Sequence, residues 1–430
     1  MKTFYFIQSA TFHNLKDPHS KALEPDCLSP PLGDYDTVSA GRGEGEGASC
    51  QEINTFVIVS EGKEQNMKFA DRMGDIELSG IRKILDLAEK MKDPVNFSIG
   101  RPDFDVPQPL KDDAKHWIQE GYNKYTVSRG DPMLIEKLHD HLKKRRMIFE
   151  DVIATVGVAG GLTLVFTALV NPGDEVLFPD PYFLNYYYMT KLMGGVPKFI
   201  NTYPDFRLRA EEIEKKITRK TKFMIINSPS NPTGQVYTRE ELEMVVQIAR
   251  KHDLFIVSDD IYEKFIYDEP NPLFIGQIYE KTIILNGFSK SWAMTGWRLG
   301  YVAGPKEFIT KVIPIQQYFY SCPPAFAQRV GVKALDYDVS NHVADYRRKR
   351  DLIYDGLSEK YHVTKPRGAF YIFPEAPGKD AEKFVEKALQ NNVFMIPGNS
   401  FSQRSSHFRI SFAVPDEMIM RGVEILNKLV

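Results

Sequence analysis

Cysteine is scarce: Cys27, Cys50 and Cys322 are the only three in 430 residues, and they lie far apart. Such spacing offers no metal-ligand pair and no disulfide framework, so no metal and a reducing, cytosolic setting are expected. An excess of one charge is also missing, since 55 basic residues meet 57 acidic ones for a net charge of -2. Without a basic excess, nucleic acid is not an expected partner. Nowhere does an apolar run reach the roughly 18 residues that a membrane span needs. The opening Phe4-Tyr5-Phe6-Ile7 run after Lys2 is too brief for a secretory signal. No internal repeat is visible.

What is present suits a large core. Apolar residues make up 43% of a chain long enough for two domains. Residues 1–66 stand apart, with Pro25, Pro30, Pro31, the run Gly41-Arg42-Gly43-Glu44-Gly45-Glu46-Gly47, and acids about twice as numerous as bases. That composition buries little and is expected to be a flexible acidic extension, strand-like only at 55–59. Met67 is a candidate natural start. Over 68–91 apolar residues recur at helical spacing (Ile81, Ile84, Leu85, Ala88). Beyond them, β-rich runs at 175–178, 223–226, 255–258 and 282–285 alternate with helical stretches. One is 239–251, whose Leu242, Val245, Val246 and Ala249 share a face. Fully apolar strands alternating with helices predict a parallel sheet covered on both faces, with sites at the carboxyl ends of its strands.

The stretch Ser289-Lys290-Ser291-Trp292-Ala293-Met294-Thr295-Gly296-Trp297-Arg298-Leu299-Gly300 follows the last of those runs. A lysine held dry at a strand end, near a second cation, has its ammonium destabilised. Its free amine can then condense with an aldehyde into a Schiff base. The donor fork of Arg298 suits a phosphate dianion. Aldehyde plus phosphate is the signature of pyridoxal phosphate, although such a Lys and Arg pair taken alone is commonplace on a solvated surface.

Other strings fall where the sheet would put its sites. Thr155-Val156-Gly157-Val158-Ala159-Gly160-Gly161-Leu162 opens a helix toward Val170. Free N–H groups at a helix start accept phosphate, and alone the string reads as a turn that caps the helix. Pro179-Asp180-Pro181-Tyr182-Phe183 ends a strand with an aromatic, ordinarily core packing. Asn227-Ser228-Pro229-Ser230-Asn231-Pro232-Thr233-Gly234 contains an Asn-Pro turn, common by itself. In Val257-Ser258-Asp259-Asp260-Ile261-Tyr262-Glu263, a carboxylate could keep a pyridine nitrogen protonated and make the ring an electron sink. The ordinary reading, an exposed acidic pair after a strand, is kept for Asp260. His407-Phe408-Arg409-Ile410-Ser411-Phe412 buries an arginine with no acid alternating beside it. A substrate carboxylate, or else a distant acid, must satisfy it.

From residue 67 to 430 these strings resemble, in order, the class I aminotransferases of the fold type I pyridoxal-phosphate superfamily. The resemblance implies an α/β fold: a mostly parallel central sheet covered by helices, plus a smaller α+β domain. Residues 67–110 would serve the small domain and a substrate strip, 111–335 the large cofactor-binding domain, and 336–430 the small C-terminal domain. Lys290 would carry pyridoxal 5′-phosphate as a Schiff base and act as the catalytic base. The Ala159 and Gly160 amides and Arg298 would hold its phosphate, with Phe183 stacked on its ring. Asn231 and Tyr262 would bond its phenolic oxygen, and Asp259 its ring nitrogen.

Arg409, Asn231 and Gly100, the last within Asn96-Phe97-Ser98-Ile99-Gly100-Arg101-Pro102-Asp103-Phe104-Asp105, would bind the substrate. Tyr125, in Lys124-Tyr125-Thr126, matches a tyrosine that reaches the neighbouring subunit's phosphate, which implies a homodimer. Arg101 departs from the family, where an acid is usual, as does Asp260, where glutamate is common.

The implied activity is ping-pong transfer of an amino group between an L-amino acid and a 2-oxo acid, with aspartate or glutamate as family default. Ala159 stands near where some aspartate-using relatives place a lysine. Tyr186, Tyr187 and Tyr188 could line an aromatic-tolerant pocket or pack elsewhere, and Arg101 could read a second carboxylate, so alanine and aromatic donors stay open. The competing readings are a carbon–sulfur β-lyase on the same fold and a non-catalytic regulator. The regulator would carry a basic helix-turn-helix where residues 1–66 are acidic.

Overall fold

The computed structural model describes residues 68–76 and 92–430. The expected extension at 1–66 and the helical pattern through Ile81, Ile84, Leu85 and Ala88 lie outside the described residues.

Strand β1 (Val95–Asn96) is followed by β2 (Asp151–Thr155), β3 (Glu175–Asp180), β4 (Val196–Asn201) and β5 (Thr221–Asn227). Next come β6 (Phe255–Asp259), β7 (Thr282–Gly287) and β8 (Gly300–Gly304). Strands β2 to β8 form one sheet of seven in the order β2-β8-β7-β6-β5-β3-β4. Neighbours from β4 through β7 pair in parallel, while β8 runs antiparallel to both β2 and β7. The four apolar runs expected to be strands fall within β3, β5, β6 and β7.

These runs do not alternate because they have no solvent face: β2, β3, β7 and β8 are buried along their whole length. Within β5, Phe223 and Ile225 join one helix-covered core, whereas Met224 and Ile226 join the other. That division is the two-residue period of a strand with helices on both sides. The helix Arg239–Lys251 forms as its pattern predicts, closed by a capping box between Thr238 and Glu241. Its Leu242, Val245, Val246 and Ala249 pack on Met224, Ile226 and Ile256. The opposite face is covered by Gly157–Leu169, whose Leu162, Val165 and Phe166 meet Phe223, Val257 and Ile283.

Towards the C-terminus come β9 (Tyr371–Ile372), β10 (Val393–Phe394), β11 (Ile396–Pro397) and β12 (Phe408–Ser411). An antiparallel sheet has the order β11-β12-β9, and β10 pairs in parallel with β1. Their core joins Val95 and Phe97 to Ile353 and Leu357 of helix Ser340–Ser358, and to Ile419 and Leu426 of helix Asp416–Lys428. The segment 95–97 is thus built into the C-terminal elements. Ser411 N–H donates to Phe97 carbonyl at 2.9 Å, which brings the strip before Gly100 alongside Arg409.

Candidate active site

In the parallel register Asn227 faces Asp259 and Asp259 faces Leu285, so β5 and β6 end level and β7 runs two residues beyond them. Beside those ends lies a cavity of about 300 Å³. Lys290 enters it three residues beyond β7, and its Nζ donates to the Gly100 carbonyl at 2.6 Å. Burial, followed by the Arg409 and Arg298 cations, lowers its pKa to about 8, with Asp259 opposing. At pH 7 such an amine is neutral roughly one time in ten, against about one in 3,000 at the ordinary value.

Asp259, the last residue of β6, is buried. Tyr186 O–H donates to its Oδ2 at 2.6 Å and Ile261 N–H to its Oδ1 at 3.3 Å. Asn227 Nδ2 holds its main-chain carbonyl at 2.8 Å. Burial pushes the Asp259 carboxyl up to about 6, against both hydrogen bonds and Lys290.

Arg409, in the middle of β12, is 3% exposed. It donates to the Ser98 carbonyl at 2.8 Å and to Asn231 Oδ1 at 3.1 Å, and its guanidinium lies over the Tyr371 and Phe401 rings. Its Nε has no partner, and among the described residues no acid pairs with it. A buried cation left in this state is a receptor for an anion supplied from outside. Because arginine only donates, the Asn231 oxygen must face Arg409, which leaves its amide nitrogen for the cavity. Tyr262 O–H meets Tyr371 O–H at 2.9 Å. A Cβ on Gly100 would lie 2.7 Å from that Tyr371 oxygen, so only glycine lets the strip pass.

Arg298 adopts a left-handed conformation, φ 53°, and its Nη1 donates to the Thr295 carbonyl at 2.9 Å. Its guanidinium rests against the start of helix Gly157–Leu169. A Cβ at Gly157, where φ is +65°, would sit 2.7 Å from Nη2. Val158 and Ala159 line the cavity there, in the first turn, where amides have no carbonyl four residues back. Gly160 corrects the expectation. It is buried and off the cavity wall, and its amide donates to the Val156 carbonyl at 3.2 Å, being the first in the helix to find such a partner.

A second correction concerns Asp260, which is 1% exposed, not an exposed acid. Its Oδ1 accepts from Ser258 Oγ at 2.6 Å, near the half-buried ion pair of Arg145 and Glu263, and burial raises its pKa to about 7. Phe183 lines the cavity and meets Tyr186 edge to face. Tyr125 is 85% exposed on a groove that meets the cavity at Arg298, and it does not itself line the cavity. Of the three tyrosines only Tyr186 reaches the site, since Tyr187 and Tyr188 line a separate hollow. Arg101 lines an adjoining cavity of about 410 Å³. Tyr371, Asn227 and Ser289 also line the site, although the motifs assigned them no role. Asn227 could have been found, as it heads the octapeptide and ends a strand beside Asp259.

Each part of pyridoxal phosphate has a complement here: an amine for its aldehyde, a carboxylate for its ring nitrogen, and a cation with free amides for its phosphate. Fold and donors together define a fold type I pyridoxal-phosphate enzyme. Residues 92–426 match the family described as aminotransferase class I and II. The chain is 38% identical to an aspartate aminotransferase of Pyrococcus abyssi, over 84% of this chain and 98% of that protein. It is 36% identical to aromatic-amino-acid aminotransferase 2 of Thermococcus litoralis, again over 84% and 98%. The solved aspartate aminotransferase of Thermus thermophilus with maleate superposes with a TM-score of 0.79 at 32% identity, covering 85% of this chain and all of that one (100%). The chain belongs to the class I and II aminotransferases, and it is an aminotransferase whose cofactor is pyridoxal phosphate. Among the described residues no helix is long and apolar enough to cross a membrane.

Proposed function

We propose that the protein moves the amino group of aspartate or glutamate to a 2-oxo acid through Lys290, and that it works as a homodimer in the reducing cytosol. When bound, pyridoxal phosphate supplies an aldehyde that amines condense with and a ring that takes up electrons. Lys290 is the amine that holds the cofactor, and once released it is the base that carries the substrate α-proton. Arg409 and Gly100 bind the substrate carboxylate, and Asn231 fixes the Arg409 guanidinium. Asp259 stands at the ring nitrogen, Asn231 and Tyr262 at the ring oxygen, and Phe183 against the ring face. Arg298 and the Ala159 amide hold the phosphate, joined by the partner subunit's Tyr125.

One observation carries this reading. A lysine amine, a buried carboxylate and an unpaired buried guanidinium line one small cavity, and nothing in the core requires such a grouping. A specific observation favours a second reading of the donor, as an aromatic amino acid. Beyond Lys290, Arg298 and Arg409 no cation lines the cavity among the described residues, whereas Phe183, Tyr186, Tyr262 and Tyr371 do. The test is the visible spectrum of protein loaded with pyridoxal phosphate. Each amino acid, added alone, should bleach the bound cofactor's band if it is a donor, and a 2-oxo acid should restore the band. A band that persists while ammonia accumulates would mean lyase chemistry instead.

A further inference from the structure

We infer that Tyr186 is a positioning residue for Asp259, its hydroxyl deciding which carboxylate oxygen is left to face the cavity. The inference rests on the reading in which Asp259 stands at the ring nitrogen of the cofactor.

The two carboxylate oxygens are held unequally. Oδ2 takes the Tyr186 hydroxyl at 2.6 Å, a short bond of the kind a charged acceptor makes, whereas Oδ1 has only the Ile261 amide at 3.3 Å. No other side chain donates to that carboxylate among the described residues. Asn227 Nδ2 goes to the Asp259 main-chain carbonyl and Lys290 Nζ to that of Gly100. With Oδ2 claimed, Oδ1 keeps the greater free acceptor capacity.

Tyr186 is itself anchored. It lies in the first turn of helix Leu184–Leu192 and is 2% exposed; its carbonyl accepts from Thr190 Oγ1 at 2.6 Å and its amide donates to the Phe183 carbonyl at 3.0 Å. Its ring meets Phe183 edge to face, with centroids 5.6 Å apart. One helical turn therefore sets both the aromatic ring beside the site and the orientation of the acid. Phenylalanine would fill the same space, so packing alone does not call for the hydroxyl.

The charged and titratable groups facing Asp259 are Tyr186, Tyr262, Asp260 and Lys290. Burial, then the Asp259 charge, pushes the Tyr186 phenol well above its ordinary range, so it stays a donor at working pH. Its bond lowers the proton affinity of Asp259. Without it the carboxylate would take a proton at higher pH and lose the charge that a pyridinium needs.

The test is Tyr186→Phe in the holoenzyme. By the usual worth of a hydrogen bond to a charged group, kcat should fall roughly 10- to 100-fold, with the donor KM within about twofold because Arg409 and Gly100 are untouched. Pyridoxal phosphate titrated into cofactor-free protein should bind roughly tenfold more weakly or worse, and the pH at which its visible band changes should move. Thermal melting checks the fold. If the variant melts early, 3-fluorotyrosine at position 186, which alters donor strength but not packing, should still move that pH. In an Asp259→Asn background the added Tyr186→Phe change should shift cofactor affinity less than about twofold, as expected of a residue acting through its partner. A folded Tyr186→Phe enzyme with unchanged kcat, affinity and spectrum beside active wild type overturns this inference alone. An undiminished loss in the Asp259→Asn background overturns it too. Wild-type protein that neither takes up pyridoxal phosphate nor transfers amino groups overturns the underlying reading as well.

Discussion

At Lys290, burial and two guanidinium neighbours act in the same direction, and the consequence can be measured without turnover. Uptake of pyridoxal phosphate by cofactor-free protein needs a neutral amine. Its rate should climb about tenfold per pH unit and level off near the lowered Lys290 pKa of about 8. A lysine of ordinary affinity would keep climbing past 10, and that profile in stopped-flow absorbance would refute the argument. The same shift bears on stability. The folded value lies below the ordinary one, so the cost of burying the ammonium is present in full below about 8 and is relieved as pH rises toward 10.5. Lys290, Asp259 and Arg409 were legible because each sits in a contiguous string whose local chemistry is unusual. The bond of Tyr186 to Asp259 and that of Tyr371 to Tyr262 were not, because the partners lie 73 and 109 residues apart. Nor does an acidic pair announce its burial: the cation near Asp260 is Arg145, on the far side of five strands in the sequence.

At the scale of elements, apolar runs located β3, β5, β6 and β7 but ended them short. Asp180, Asn227 and Asp259 are polar, so the hydrophobic pattern stops before them, whereas backbone pairing continues through them. The polar ends are the functional ones. Two substitutions separate an element's stability from its chemistry. Thr238→Ala removes the capping box of helix Arg239–Lys251, remote from the cavity, and should cost about 1 kcal/mol in denaturant unfolding with kcat unchanged. Gly157→Ala puts a Cβ at φ +65° and 2.7 Å from Arg298 Nη2. It should cost about 1–2 kcal/mol for the left-handed residue. By displacing the guanidinium it should also raise the dissociation constant of pyridoxal phosphate roughly tenfold. A Gly157→Ala protein that is less stable but binds the cofactor normally would show that Arg298 does not depend on this helix start.

At the scale of the whole molecule, the site is shared among parts distant in sequence: the strip at Gly100, the ends of the large sheet, and β12. The strip is the least covered of these, and beyond Gly100 an acid ties it to the C-terminal elements. The Asp103 carboxylate pairs with Lys349 and accepts from Tyr346 O–H at 2.8 Å, both on helix Ser340–Ser358. One residue on, Phe104 stacks on His342 of the same helix, with ring centroids 3.7 Å apart. Removing that acid should loosen the strip without touching Lys290, Asp259 or Arg298. Lys349 retains Asp345 at 3.1 Å, so the stability loss should stay near 1–2 kcal/mol and not reach that of an orphaned buried charge. Asp103→Ala should therefore raise the donor KM several-fold, because Gly100 then meets the substrate carboxylate less often in the right place, while cofactor affinity and the visible band stay as they are. Steady-state kinetics and a cofactor titration on one preparation decide it. An unchanged KM would mean that the Phe104 stack and the Lys290 contact hold the strip unaided, and a lost cofactor would mean that the strip supports the large sheet as well as the substrate.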